Sequence, residues 1–403
     1  MSYIERVEAA FVELRKGKMI ILVDHPSREN EGDFIFAAEK TTPEAINFMI
    51  KHGSGIICLP LPASQLARLG VSLMVPSDEN TSQRGTPFTV SIEARHHIST
   101  GVSAADRTTT ILTAIKEEAS SEDIVKPGHI FPLQARAGGV LERAGHTEGS
   151  LDIVRLAGLK PAAVLCEVMN PDGTMARGPA LQQFAKEHHL TILSIDDIID
   201  YRLRFDHLIE EEVSAELPTE YGAFNISVIK EKINHKEHII LTAGNIQSDS
   251  PTLVRIHSSC VTGDLFGSLR CDCQQQLTYS LEKISREGGI LIYLNQEGRG
   301  IGLFNKIKAY ALQEQGFDTV EANEQLGMPI DSRGYHMAAT ILRGKNISKV
   351  RLLTNNPAKI QDLKKYGIKE VIQEKTPVFC NEHNKPYLRS KKNKLHHTIS
   401  KEL

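Results

Sequence analysis

The apolar positions Ile4, Val7, Phe11 and Leu14 recur at helical spacing, which predicts an amphipathic helix over 3–15. Short apolar runs at Met19–Val23, Ala162–Val168 and Thr191–Ile195 read as strands, and a helical pattern near 179–189 separates the last two. The first half therefore alternates helices and strands, the pattern of an α/β layered domain.

The second half repeats a different unit of strand, polar or glycine turn, and helix. Ile290–Leu294 runs into Gln296-Glu297-Gly298-Arg299-Gly300, then into a helix on which Phe304, Ile307 and Ala311 share one face and Gly316 is the stop. Val350–Leu353 enters Thr354-Asn355-Asn356-Pro357, where Asn can cap and Pro suits the first helical position. Such units call for a largely parallel sheet, and both turns fall at strand carboxyl ends, where these sheets bind ligands.

The expected fold is a two-domain α/β (α+β) protein, each domain a mixed sheet layered with helices. A chain of 403 residues exceeds what one core usually serves. The acidic run Glu210–Glu212 and the Pro- and Gly-containing stretch Leu217–Gly222 put the boundary near 206, giving domains 1–206 and 207–403.

Composition narrows the partners. A formal net charge of -3 offers no global attraction to nucleic acid or to an anionic membrane, so any phosphate must be bound locally. No apolar run is long enough to span a membrane, and the opening residues lack an apolar signal core. Six cysteines are too few for a disulfide framework in a chain this long, and a reducing cytoplasm is expected. The basic stretch Arg389–Lys394 is short and has no interleaved aromatic residue, so it reads as a solvated terminus rather than a polyanion contact.

Cys260, Cys271 and Cys273 form a tight trio of soft ligands suited to Zn²⁺. Three ligands leave a fourth position for water, as a catalytic zinc requires. Completion by His257 would instead make the site structural, and buried, metal-free cysteines are the third possibility. Arg255 and Arg270 flank the trio, while Arg299 and Lys359 sit on the two strand-end turns, so a polyphosphate can be held beside the metal.

In the first half, Asp24-His-Pro-Ser-Arg28-Glu29-Asn-Glu31-Gly-Asp33 follows a strand directly and groups hard oxygen ligands of the kind Mg²⁺ prefers, although a solvated polar turn has the same composition. Further on, Arg143-Ala-Gly-His146-Thr147-Glu148 sets a histidine in a small-residue turn. Glu167 stands in an apolar strand, where a carboxylate needs a partner.

The wording of these segments resembles two families. Arg28-Glu-Asn-Glu-Gly-Asp33, His52-Gly-Ser-Gly55, Thr100-Gly-Val-Ser-Ala-Ala-Asp-Arg107, Pro127-Gly-His129 and Gly145-His-Thr-Glu148 resemble 3,4-dihydroxy-2-butanone 4-phosphate synthase over about 3–203. Arg255-Ile-His-Ser-Ser-Cys260-Val-Thr-Gly-Asp, Ser268-Leu-Arg-Cys271-Asp-Cys273, Gln296-Glu-Gly-Arg-Gly-Ile-Gly-Leu303, Asp318-Thr-Val-Glu-Ala-Asn323 and Leu352-Leu-Thr-Asn-Asn-Pro357 resemble GTP cyclohydrolase II over most of 207–375.

The first resemblance implies conversion of D-ribulose 5-phosphate to L-3,4-dihydroxy-2-butanone 4-phosphate and formate. It implies Mg²⁺ or Mn²⁺ on Glu29 and His146, substrate contacts from Arg28, Glu29, Asp33, Arg143, Ala144, Gly145, His146, Thr147 and Glu167, and catalytic roles for Glu29, Asp33 and Glu167. Cys58 is a further candidate, or else a core residue.

The second resemblance implies zinc on Cys260, Cys271 and Cys273, with opening of the guanine imidazole ring, loss of C8 as formate and release of pyrophosphate. GTP, carrying its own Mg²⁺, is expected on Arg255, Ile256, His257, Ser258, Ser259, Gln276, Glu297, Gly298, Arg299, Thr319, Thr354 and Lys359. Tyr310, Asp331 and Arg333 match catalytic positions, with Asp331 a proton acceptor and Arg333 a nucleophile on the α-phosphate. A guanidinium is better suited to clamping phosphate. Both resemblances imply a homodimer.

Ser259 stands where the pattern has Glu, and Gln274 where it has Gly, so a carboxylate beside the metal and a tight turn are expected to be missing. From those departures comes an alternative in which only the synthase half is active and the C-terminal half is structural or regulatory. A non-enzymatic zinc-stabilised scaffold is a third reading.

Overall fold

The computed structural model describes residues 1–246, 250–394 and 397–399. The chain divides into two compact units, Met1–Arg202 and Leu203–Leu403.

In unit 1 the strands are β1 (Ile20–Val23), β2 (Gly32–Ala37), β3 (Cys58–Pro62), β4 (Ile92–Ala94), β5 (Ile124–Ala135), β6 (Ala163–Glu167) and β7 (Thr191–Ser194). They form one mixed sheet in the order β4-β5-β3-β6-β2-β1-β7. The β1–β7 and β3–β5 pairs are parallel, whereas β1–β2 and β2–β6 are antiparallel.

Alternation explains why these strands read as unbroken apolar runs. Ile21, Phe34, Phe36, Val164 and Cys166 feed one core, while Ile20, Leu22, Ile35, Ala37, Ala163 and Leu165 feed another. Helices cover both faces, so every residue of β2 is buried. The opening helix, Tyr3–Arg15, begins with a capping box between Ser2 and Glu5 and buries Val7, Ala10, Phe11 and Leu14.

Unit 2 contains β8 (Ile209–Thr219), β9 (Gly222–Glu231), β10 (Glu237–Ala243), β11 (Thr252–Ser258), β12 (Gly289–Leu294), β13 (Lys349–Leu353) and β14 (Glu370–Glu374) in the order β14-β13-β11-β12-β10-β9-β8. The largely parallel sheet expected here is only half of what forms. β14, β13, β11 and β12 are parallel, but β12, β10, β9 and β8 continue as an antiparallel meander. A two-residue turn at Glu220-Tyr221 joins β8 to β9, so the Pro- and Gly-containing stretch is a hairpin within unit 2.

The helix after β12, Gly302–Glu314, stops before Gly316 at φ +101°, yet its Phe304 and Ile307 are 75% and 46% exposed. That apolar face does not enter the core. Asn356 caps the helix Pro357–Lys365 by accepting from the Ala358 amide at 3.0 Å.

Candidate active sites

In unit 1 the loop leaving β1 is pinned by Asp24. Its buried carboxylate accepts from the Glu29 amide at 3.0 Å, the Glu31 amide at 2.9 Å and Arg28 Nη1 at 2.9 Å. Burial opposes its ionisation, but these donors hold it below the usual carboxylate range. The pinned loop brings Glu29 to His146, the first residue of the helix His146–Leu156, and ligand atoms of Asp24, Glu29 and His146 all lie within 4.8 Å of one another.

Burial keeps the His146 imidazole neutral, and its Nε2 is enclosed without a hydrogen-bond partner. An imidazole nitrogen beside two carboxylates is a fitting donor set for a hard divalent cation.

Asp33 and Glu167 are register partners across β2 and β6. Burial, then the nearby charges of Glu167 and Glu29, push Asp33 well above the usual carboxylate range. Glu167 accepts from the Ile56 amide at 2.8 Å. Arg143 Nη1 is held by Glu148 at 2.6 Å, and its Nη2 reaches Thr86 Oγ1 at 3.2 Å.

Arg28, Glu29, Asp33, Arg143, His146, Thr147 and Glu167 line one cavity of about 180 Å³. Ala144 is exposed and outside its lining, and Gly145 caps the helix where a Cβ would strike the Arg143 guanidinium. Cys58 touches the cavity but belongs to the core, and burial raises its thiol well above the usual range, so it is no ready thiolate.

Asp24, Thr86 and Glu148 were not singled out in the sequence. Asp24 and Glu148 stand inside the motifs above and were visible there. Thr86 lies in a polar loop that carries no local signal.

In unit 2 the thiols of Cys260, Cys271 and Cys273 converge within 4.8 Å, with Cys260 and Cys271 sulfurs 3.8 Å apart. Tetrahedral thiolates at about 2.3 Å from zinc stand about 3.8 Å apart, so the spacing fits that ion. Gly263 closes over the cluster, and a Cβ there would fall 2.8 Å from Cys271 Sγ and 3.1 Å from Cys260 Sγ. Hydrogen bonds from Cys271 and Cys273, then Lys306 at 3.2 Å, favour the Cys260 thiolate.

His257 stands apart from the trio. Among the described residues the metal-capable group contains only the three cysteines, and His257 Nε2 lies 3.0 Å from Asp264. Asp264 also accepts from the Cys260 amide at 2.9 Å and the Tyr293 hydroxyl at 2.9 Å, which makes it an unforeseen organiser of the cluster.

Ser259 and Gln274 leave the cluster neither without a carboxylate nor with a strained turn. Glu297 supplies a carboxylate at the cluster, accepting from the Val261 amide at 2.6 Å and from Lys306 at 2.8 Å. Gln274 is exposed in the first turn of the helix Cys273–Glu287, where no tight turn is needed.

A cleft beside the trio has two chambers. Ser259, Cys260, Cys271, Glu297, Gly298, Tyr310 and Thr319 line the first, and Arg255, His257, Gln276 and Lys359 line the second; Ser258, Cys273, Arg299 and Arg333 belong to both. Ile256 contributes only its carbonyl, which accepts from Lys359 at 2.7 Å. Thr354 lies outside both linings and organises its turn by accepting from the Asn356 amide at 3.0 Å.

Burial raises the Tyr310 phenol against the influence of Lys306, so it stays protonated. Despite its burial, Arg333 is held cationic by Asp331, whose carboxylate it engages through Nε at 2.8 Å.

The basic stretch at the C-terminus is not simply solvated. It lies in a helix, Lys385–Asn393, whose Tyr387 and Lys391 line the cleft.

Two metal-capable cavities of different chemistry, on separately cored α/β units, are what a bifunctional enzyme presents. Residues 8–201 match the family model of 3,4-dihydroxy-2-butanone 4-phosphate synthase, and residues 210–377 that of GTP cyclohydrolase II. The riboflavin biosynthesis protein RibBA of Aquifex aeolicus is 54% identical over 97% of each chain, and that of Cytophaga hutchinsonii 49% identical over 99% of this chain and 98% of its own. A crystal structure of RibBX, a two domain 3,4-dihydroxy-2-butanone 4-phosphate synthase from A. baumannii, matches with a TM-score of 0.68 and 35% identity, covering 92% of this chain and 99% of that one.

The chain belongs to the RibBA family of bifunctional riboflavin biosynthesis enzymes. It joins a lyase, 3,4-dihydroxy-2-butanone 4-phosphate synthase, to a hydrolase, GTP cyclohydrolase II.

Proposed function

We propose that residues 1–206 convert D-ribulose 5-phosphate to L-3,4-dihydroxy-2-butanone 4-phosphate and formate in the Asp33–Glu167 cavity, with Mg²⁺ or Mn²⁺ on Glu29, His146 and additionally Asp24. Such an ion would stabilise negative charge on adjacent substrate oxygens. The neutral Asp33 carboxyl is suited to give a proton, and Glu167, with one oxygen held by the Ile56 amide, to take one. Arg28, Arg143 and Thr147 provide charge and hydrogen bonds for the phosphate near the start of the helix His146–Leu156.

Residues 207–403, in the same reading, convert GTP to 2,5-diamino-6-ribosylamino-4(3H)-pyrimidinone 5′-phosphate, formate and pyrophosphate. Zinc on the three cysteines would lower the pKa of water to about 7 for attack at C8 of guanine. Arg255, Arg299 and Lys359 receive the triphosphate, which carries its own Mg²⁺, Tyr310 donates a proton, Asp331 accepts one, and Arg333 clamps phosphate as a permanent cation. Arg299 supports this assignment most directly, because both its terminal nitrogens are buried without a partner in a cation-rich chamber.

A cytoplasmic homodimer completes the proposal. Leu265 and Phe266 are 71% and 75% exposed, and the Lys306–Thr262 bond of 2.8 Å joins their segment to the helix that exposes Phe304. Apolar patches of this kind mark protein interfaces. Among the described residues no helix is long and apolar enough to cross a membrane. The test of the two-site assignment is formate release on one preparation, from ribulose 5-phosphate with Mg²⁺ and from GTP with zinc loaded. Formate from the sugar alone would overturn the assignment for residues 207–403.

A further inference from the structure

The match to GTP cyclohydrolase II ends at residue 377, yet a later segment walls the nucleotide cleft. The helix Lys385–Asn393 is anchored by fully buried Leu388 and by Asn384, which donates to the Phe379 carbonyl at 2.9 Å. Beyond it, the Thr398 amide donates to the Asn355 carbonyl at 2.9 Å, tying the chain to the strand-end turn after β13. The segment is docked by these contacts together with the Lys391–Asp272 and Lys394–Asp318 ion pairs.

Two residues of the helix, Tyr387 and Lys391, line the cleft. Tyr387 lines both chambers, with the Arg299 guanidinium 5.5 Å from its ring centroid. Lys391, with a side chain only 13% exposed, lies 2.9 Å from Asp272 and joins Arg255, Arg299, Arg333 and Lys359 around one chamber.

Of the five basic side chains, Arg333 is neutralised by Asp331 and Lys391 by Asp272, burial and the neighbouring cations push Lys359 well below the usual lysine range, and Arg299 Nη1 and Nη2 and Arg255 Nε are buried without partners. The Lys391–Asp272 pair satisfies a buried carboxylate, but it would not compensate the unpartnered nitrogens of Arg299 and Arg255. A polyanionic ligand would.

We propose that the C-terminal segment belongs to the nucleotide site, Lys391 being a direct ligand of the triphosphate and Tyr387 a positioning residue that holds Arg299 toward it. The proposal rests on the reading of this cleft as the GTP site. An ammonium has three donors, so Lys391 can keep Asp272 and still bind a phosphate oxygen.

The test uses the zinc-loaded full chain, calorimetry with a non-hydrolysable GTP analogue and with GMP, and steady-state formate release. Lys391→Met is expected to weaken triphosphate binding roughly ten- to hundred-fold and raise KM alike, with GMP changed less than about threefold and Lys391→Arg restoring most of the loss. Tyr387→Leu should raise KM more than it lowers kcat.

Lys359→Met separates the two claims. Loss of binding there with wild-type affinity in Lys391→Met refutes the role of the segment and leaves the cleft reading standing. Wild-type affinity in both refutes the cleft reading and this proposal with it. Equal loss of triphosphate and GMP binding, unrescued by Arg, makes Lys391 an anchor only and overturns the proposal. Zinc content and formate release from ribulose 5-phosphate report folding on the same samples, and if Lys391→Met sheds zinc, Tyr387→Leu decides by the same criteria.

Discussion

Asp33 and Glu167 face each other across the antiparallel pair β2–β6, so two carboxylates share one buried wall of the unit 1 cavity. Like charges so placed do not both ionise easily, and burial followed by the Glu167 charge keeps the proton on Asp33. Asp33→Asn retains shape and hydrogen bonding but has no proton to transfer. Formate release from ribulose 5-phosphate should fall by roughly 10²–10⁴-fold, with no loss of thermal stability. Activity above about a tenth of wild type would remove Asp33 from proton transfer.

Separate cavities predict separable losses. Cys271→Ser should eliminate GTP turnover and zinc while leaving the sugar reaction intact, and Glu29→Gln should do the opposite. Gly263→Ala should resemble Cys271→Ser, because its methyl would press to 2.8 Å from Cys271 Sγ. Zinc content and the paired formate assay check all three, and an equal fall of both activities in any variant would contradict independent sites.

Sequence periodicity located the elements whose burial is regular. Met19–Val23 was recognisable because β1 is apolar on both faces, and Asn356-Pro357 because capping is a local interaction. The antiparallel half of unit 2 was not recognised, since β8 is exposed along most of its length and lacks a clean alternation.

The same division holds for the sites. Cys260, Cys271 and Cys273 are close in sequence and could be grouped by spacing alone. Asp264, Lys306 and Lys391 act through contacts that only folding creates. A lysine in a basic stretch looks alike whether it meets solvent or Asp272.

A buried pair in unit 2 gives a pH prediction with a definite sign. Glu231 is 9% exposed and lies 2.6 Å from His238 Nε2, while His238 Nδ1 accepts from the Asn295 amide at 3.0 Å. Burial pushes Glu231 up, but His238 outweighs it and the carboxyl settles below its ordinary value of 4.5. A carboxylate lowered on folding stabilises above its unfolded pKa and loses that contribution as pH falls through the folded value. Thermal unfolding followed from pH 7 to pH 3 should therefore show stability declining on the acid side, and Glu231→Gln should flatten that decline. An unchanged slope would assign the acid sensitivity to other groups.

Arg202 and Asp152 form the ion pair that supports the turn before Arg143. Arg202 Nη1 donates to Asp152 Oδ2 at 2.6 Å and to the Gly138 carbonyl at 2.7 Å, and Asp152 Oδ2 also accepts from the Val140 amide at 2.9 Å. Their side chains are only 6% and 5% exposed, so removing Arg202 leaves the buried Asp152 carboxylate to the Val140 amide and to the half-exposed Arg155 at 3.1 Å. Arg202→Met should destabilise unit 1 by about 3–5 kcal/mol in denaturant unfolding, and adding Asp152→Leu should recover part of that loss, since a buried pair costs more to break than to replace. With the Gly139–Leu141 turn loosened, Arg143 loses its fixed approach to the cavity, and KM for ribulose 5-phosphate should rise more than kcat falls. GTP turnover in the single variant should match wild type, and a parallel fall in both activities would mean that the pair supports more than the synthase cavity.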